Sequence, residues 1–418
     1  MSENRGVKTT ENKAYRSCKN AASCGSCTLI SLPYEQQLKK KQEYVNSLMG
    51  KYVRVSPIVG MENPYHYRNK VHITFGSDKK GNVIYGTYKE GTHTIVPAKE
   101  CLIECECARQ IAATIASLMP SFKMKPYDED RHTGFLRHIL VRKSHFSSEV
   151  MLVLVAGTNV FPSKKNFVKA VTERHPEIST IIFNINDKNT SMVLGEREEV
   201  LYGKGYIEEV LCKKTFRISS KSFYQVNPVQ TEKLYQKAIE CAALTGKETV
   251  IDAYCGTGTI GIVAADRAKS VLGIELNKAA VSDARTNAKN NNVKNITFVC
   301  DDATKYMTRF KAATAGIKSD TAGMTKSKPD AKPNDKSGVD VVIMDPPRAG
   351  STKEFLKAVT KMSPSRVVYV SCNPETLARD VQYLVNHGYK AQQCVPFDMF
   401  PGTEHVETVC LLSQKIPI

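Results

Sequence analysis

The 418-residue sequence has no apolar run approaching the roughly 18–20 residues that a membrane-spanning helix needs. Nor does its start, Met1-Ser2-Glu3-Asn4-Arg5-Gly6, carry the apolar core of a signal peptide. A membrane or exported protein is therefore not expected, and a cytoplasmic address is. That address limits the uses of the 13 cysteines. Disulfide frameworks belong to secreted domains, so metal ligation, nucleophilic chemistry and buried packing must share these thiols. Acid is also scarce: 42 Asp+Glu face 59 Lys+Arg, a formal net charge of +17. Such a surplus suits a polyanionic partner such as nucleic acid.

The length permits two or three domains. Residues 1–49 comprise a polar tail, a cysteine loop and a helix over 34–49. In that helix Tyr34, Leu38, Val45 and Leu48 share one face, with lysines opposite. Residues 50–215 are β-rich, with strands expected at 71–75, 83–88 and 150–155 and helices near 109–119 and 164–175. Residues 216–418 change rhythm, as helices alternate with buried strands at 249–252, 270–275, 296–299, 339–344, 366–370 and 406–412. The expected fold class is α/β, with a doubly wound Rossmann-like domain preceded by a small cysteine segment and a β-rich central domain. The last strand, arriving after a 394–402 loop, is expected to run antiparallel. Residues 311–338 are rich in Lys, Asp, Thr and Ser without an aromatic residue, and predict a disordered insertion.

Two places in the last domain carry chemistry. Asp252-Ala-Tyr-Cys-Gly-Thr-Gly-Thr-Ile-Gly261 follows a strand and contains GxGxxG. Nicotinamide and S-adenosylmethionine sites share that pattern. Asp252, an acid placed to neutralise a sulfonium, favours S-adenosylmethionine. Glu275, ending the next strand, suits ribose hydroxyls, and Asp301-Asp302 offers a carboxylate for an adenine amino group. Downstream, Asp345-Pro-Pro-Arg348 ends one strand and Ser371-Cys372-Asn373-Pro374 ends the next. Asp345 would face the crevice at the carboxyl ends of the strands. Cys372, at a strand tip beside a cofactor loop, predicts a nucleophile.

A pyrimidine C5 carbon is a poor nucleophile until a thiolate adds at C6. The enolate formed can then attack a sulfonium methyl, and a base must remove the C5 proton before the thiol leaves. Glu407, entering the apolar strand Val406–Leu412, is the candidate base, with Glu404 and His405 as rivals. Cytosine enzymes carry a second cysteine in the loop that here reads Asp345-Pro-Pro-Arg348, so its absence points to uracil. At the other end, Cys18, Cys24 and Cys27 need a fourth partner from Cys101, Cys105 or Cys107, and thiolates suit zinc or a [4Fe-4S] cluster equally.

These residues resemble the RNA uracil-C5-methyltransferase family that modifies 23S rRNA and tRNA. The resemblance is carried by Ser222-Phe-Tyr-Gln-Val-Asn227, the Asp252 loop, Asp345-Pro-Pro-Arg-Ala-Gly350, Val370-Ser-Cys-Asn-Pro374, Thr376-Leu-Ala-Arg-Asp380 and His405-Val-Glu407. It covers about residues 15–418 outside 311–338. It implies Cys372 as nucleophile, Glu407 as base, and Gln225, Tyr254, Glu275, Asp302 and Asp345 as contacts to S-adenosylmethionine or the target base. Thr259 falls where relatives also touch the cofactor. The 23S rRNA branch carries a [4Fe-4S] cluster with this cysteine spacing, its fourth ligand preceding Pro/Leu-Ile. Cys101-Leu-Ile103 matches, so Cys18, Cys24, Cys27 and Cys101 are the implied ligands and rRNA the implied substrate. Many members of that branch begin with a small RNA-binding β-barrel, for which 17 residues before Cys18 leave no room. RNA grip is therefore expected from residues 50–215, where Tyr65–Lys70 and Arg137–Lys143 mix basic groups with rings. A monomer is expected.

Overall fold

The computed structural model describes residues 16–190, 192–309 and 338–415. All but Arg16 of the expected polar tail, residues 1–16, and all but Gly338 of the expected insertion lie outside the described residues. Near the N-terminus stand α1 (Ala21–Cys24) and α2 (Tyr34–Met49). A first sheet follows, in the order β3-β2-β1-β4-β5-β6-β7, built from β1 (Lys70–Ser77), β2 (Val83–Tyr88), β3 (Ile95–Pro97), β4 (Leu136–Lys143), β5 (Val150–Ala156), β6 (Ile178–Ile185) and β7 (Arg197–Gly203). Helices α3 (Glu106–Leu118) and α4 (Lys164–Arg174) share a core with it through Ile111, Ile115, Phe167 and Val171. Next to its central strand β4 runs the uninterrupted apolar β5, in which every residue is buried, as a strand covered on both faces requires. A hairpin, β8 (Ile207–Leu211) and β9 (Lys214–Ile218), leads to the second sheet.

The second sheet is the expected doubly wound one. Its elements are α5 (Pro228–Ala242), β10 (Thr249–Ala253), α6 (Thr259–Ala264), β11 (Ser270–Glu275), α7 (Lys278–Asn290), β12 (Ile296–Cys300), α8 (Ala303–Arg309), β13 (Val341–Met344), α9 (Lys353–Met362), β14 (Arg366–Ser371), α10 (Pro374–Asn386), β15 (Tyr389–Phe397) and β16 (Glu407–Gln414). The strand order is β12-β11-β10-β13-β14-β16-β15. The first five strands are parallel, and β16 runs antiparallel to both β14 and β15. The order reverses beside β10, and this switch point is where open α/β sheets bind ligands.

Two expectations need correction. The segment taken as a loop at 394–402 begins inside β15, whose Cys394–Phe397 pair with β16. Its Gln392-Gln393 interrupts the apolar pattern, where the register also shifts. In α2 the expected face does turn inward, but Lys41, expected with the lysines opposite, is buried on it with Gln37, Val45 and Met49. Lys41 is buried because its ammonium meets Asp398 at 2.5 Å, a partner 357 residues away that local periodicity cannot reveal. No helix among the described residues is long and apolar enough to cross a membrane.

Candidate active site

Every active-site candidate but Gln225 sits at the end of a strand or next to one. In β10 the buried chain stops at Ala253, and Tyr254 turns in the left-handed region at φ 63°. That conformation is unusual for a residue with a side chain and is found mostly where structure serves function. Gly258 follows at φ 78°, and a Cβ there would stand 2.7 Å from Phe298. The amide of Gly261 donates to Asp252 Oδ2 at 2.8 Å, tying the loop back to its own strand. Glu275, ending β11, accepts from the Gly256 amide at 3.1 Å and the Asn277 amide at 2.8 Å. The glycine loop and the neighbouring strand end are thus one hydrogen-bonded unit.

Across the switch point, Asn373 caps α10 by accepting from the Glu375 amide at 3.0 Å, and Pro374 occupies the first helical position. This Asn-Pro start ends β14 and leaves Cys372 at its tip. The pairing of Ser371 with Thr408 puts Cys372 and Glu407 on adjoining strands one step further on. Cys372, Glu407, Asp345, Gln225, Tyr254, Glu275 and Thr259 all line one cavity of about 840 Å³. Asp302 is not among its lining residues. It is half-buried at the start of α8, where its carboxylate accepts from the Lys305 amide at 2.8 Å. Asp301 instead pairs with Arg309.

The electrostatics of this cavity are unusual. Burial pushes Asp345 up to about 7. Burial, and then the Asp345 charge, push Glu407 up to about 8, with Arg348 opposing. Burial, and then Glu407 and Asp345, push Cys372 up to about 11, again against Arg348. Asp252 is raised to about 8 by burial despite its bond to Gly261. Shared acids displaced upward in a cleft mark a place where a proton acceptor works near neutral pH or a cation is awaited. The rivals Glu404 and His405 line a second cavity, which shares Cys372 with this one but includes neither Glu407 nor the glycine loop.

The sequence profile of the tRNA (uracil-5-)-methyltransferase family matches residues 33–415. The chain belongs to this family. It is therefore an S-adenosylmethionine-dependent RNA methyltransferase. Among similar proteins are uncharacterised RNA methyltransferases from Oceanobacillus iheyensis, 41% identical over 98% of this chain and 85% of that one, and from Clostridium acetobutylicum, 39% identical over the same shares. A similar solved structure is the Pyrococcus abyssi tRNA (uracil-54, C5)-methyltransferase in complex with S-adenosyl-L-homocysteine. Its TM-score is 0.74 and its identity 29%, covering 92% of this chain and 85% of that one.

Some of this family member's site was not legible beforehand. Arg348 lines the 840 Å³ cavity and a second one of about 520 Å³, and the two meet at Arg348 and Cys372. Asp283 accepts from Ser222 at 2.6 Å on the far wall. The expected RNA-reading stretches are largely spent internally. Arg137 forms a bidentate pair with Glu129 at 2.6 and 2.9 Å. Arg142 donates to the Ser222 carbonyl at 2.5 Å, so it braces the segment carrying Gln225. Tyr67 is buried and donates to the Pro401 carbonyl at 3.0 Å. Basic residues at strand positions facing a core are consumed by buried partners.

The cysteines divide by place. Cys18, Cys24, Cys27 and Cys101 line a pocket of about 330 Å³. Burial and the three neighbouring thiols push Cys27 up to about 12. Cys105 lies in the core beside α3, 3.8 Å from the Cys107 sulfur, and neither lines that pocket. Among the described residues no group of three or more His, Cys, Asp or Glu is drawn together tightly enough to hold a metal ion. The donor type, four thiols lining one pocket, is that of a thiophilic group, although the side chains do not close on one point.

Proposed function

We propose that the chain methylates C5 of a uracil in structured RNA, by covalent addition of Cys372 to C6. The observation that carries this is the meeting of Cys372, Glu407 and Asp345 in the same cavity as the glycine loop. Gln225, Tyr254, Glu275, Asp302 and Asp345 are assigned to the cofactor or the target base. S-adenosylmethionine supplies the methyl on a cationic sulfonium, a charge that favours the ionised forms of the three raised groups. The thiolate of Cys372 forms a bond to C6, and the ring electrons move to C5 as an enolate. C5 takes the methyl as the sulfonium carbon–sulfur bond breaks to leave the neutral thioether S-adenosyl-L-homocysteine, and Glu407 then takes the C5 proton. The C6–S bond then breaks, the double bond returns, and Cys372 leaves as thiolate. Arg348, beside both groups, opposes protonation of either.

For the RNA, 23S rRNA is the first reading, because the four-cysteine pocket matches the resemblance to that branch. The second is tRNA, favoured by the family description and by the Pyrococcus abyssi enzyme. Incubation of 23S rRNA and tRNA with methyl-labelled S-adenosylmethionine, followed by nucleoside mass spectrometry, tests both. 5-Methyluridine confined to 23S rRNA is expected, and label on cytosine or an amino group would overturn the proposal. Cys18, Cys24, Cys27 and Cys101 are proposed to hold a [4Fe-4S] cluster. Anaerobically purified protein should be brown with broad visible absorbance, and Cys101→Ala should lose the colour while Cys107→Ala keeps it. A colourless protein holding one zinc would contradict the assignment.

A further inference from the structure

The second cavity touches the nucleophile but not the glycine loop. It is about 520 Å³, within the range of small-ligand sites, and lies between α2, the start of α10 and the loop before β16. Cys372 and Arg348 belong to both cavities, so anything occupying it sits next to whatever Cys372 attacks. We propose that this cavity is a subsite for one nucleobase adjoining the target uridine in single-stranded RNA, stacked against Tyr44. The proposal rests on the uracil reading above.

Two observations choose a base over a phosphate. First, the walls offer rings: Tyr44 from α2 is 38% exposed, and His405 is half-buried on the opposite segment. The Tyr44 hydroxyl donates to Glu375 at 3.1 Å, which holds the ring in place before any ligand arrives. A ring fixed in advance loses little entropy on stacking. Second, the charges balance. Lys40 and Arg348 are offset by Glu375 and Glu404, while Lys41 is already paired with Asp398. A phosphate would meet two carboxylates. A neutral base instead finds acceptors for its N–H groups and an aromatic face.

Chain connectivity gives the reason. A base that enters the 840 Å³ cavity must leave its stack, and its neighbour is left unstacked at the mouth. Stacking that neighbour on Tyr44 would recover part of the lost stacking and set the direction of the strand past Cys372. It also places part of the RNA contact on α2, outside residues 50–215.

The test uses the full chain saturated with S-adenosyl-L-homocysteine and three probes: uridine monophosphate, the dinucleotide UpU, and the dinucleotide with its second base removed. UpU should bind at least about tenfold tighter than the monophosphate, the scale of one base–aromatic stack. The abasic dinucleotide should lose that gain. Tyr44→Ala should lose it too, whereas Tyr44→Phe, which keeps the ring, should retain most of it. Equal binding of UpU and its abasic form, or a full gain in Tyr44→Ala, would refute the subsite while uracil methylation stayed intact. If the wild type instead methylates a base other than uracil, the reading beneath the proposal fails, and the subsite with it.

Discussion

Replacing Lys41 with Met should cost far more than removing a surface lysine. The Lys41 ammonium lies 2.5 Å from Asp398 Oδ1, with the two side chains 1% and 0% exposed, and it also donates to the Phe400 carbonyl at 3.1 Å. Burial lowers the Lys41 pKa, and Asp398 is what opposes that shift. Methionine fills the same space without charge and strands the carboxylate, a change worth about 3–5 kcal/mol for a buried pair. An exposed pair would lose about 0–1 kcal/mol. Urea denaturation of wild type and Lys41→Met at pH 7 reads the loss, and adding Asp398→Asn should recover part of it. A deficit below about 1 kcal/mol would refute the reasoning.

Other outcomes follow from the cavity and its loop. Asp345 is the second cause, after burial, of the raised Glu407. Removal of the C5 proton should therefore speed up as pH rises through about 8, and Asp345→Asn should move that limb to lower pH. Single-turnover release rates against pH measure this, and an unmoved limb would count against the coupling. Gly258→Ala puts a methyl 2.7 Å from Phe298 at φ 78°, a conformation that costs a residue with a side chain roughly 1–2 kcal/mol. Calorimetry should show S-adenosyl-L-homocysteine affinity reduced at least about tenfold. Gly246→Ala, at φ 94° with nothing within 4 Å of the added carbon, should share the backbone strain but keep the affinity.

How much of this was legible depended on whether the information was local. The α/β rhythm of the last domain announced the second sheet because buried strands between helices are periodic in sequence, and Cys372 was visible because Asn373-Pro374 is a helix start. The convergence of Glu407 on Cys372 could be suspected but not measured, since it depends on β16 entering the sheet between β14 and β15. Lys41 was misplaced because its partner is 357 residues away. The strand bearing Arg137 and Arg142 looked like an RNA surface because composition shows charge but not direction, and both side chains are buried. Tyr44 stands among polar neighbours in the sequence, and only the fold brings it to a cavity that Cys372 also lines.

The central claim is that Cys372 bonds to the RNA base and Glu407 ends the cycle. Glu407→Gln keeps the side-chain volume but removes the proton acceptor. Incubated with S-adenosylmethionine and substrate RNA, it should accumulate a protein–RNA adduct that survives denaturing electrophoresis, with the methyl already on the bound base. The same incubation with Cys372→Ala should give neither adduct nor methylated RNA. Methylation by Cys372→Ala, with no adduct from Glu407→Gln, would contradict the account.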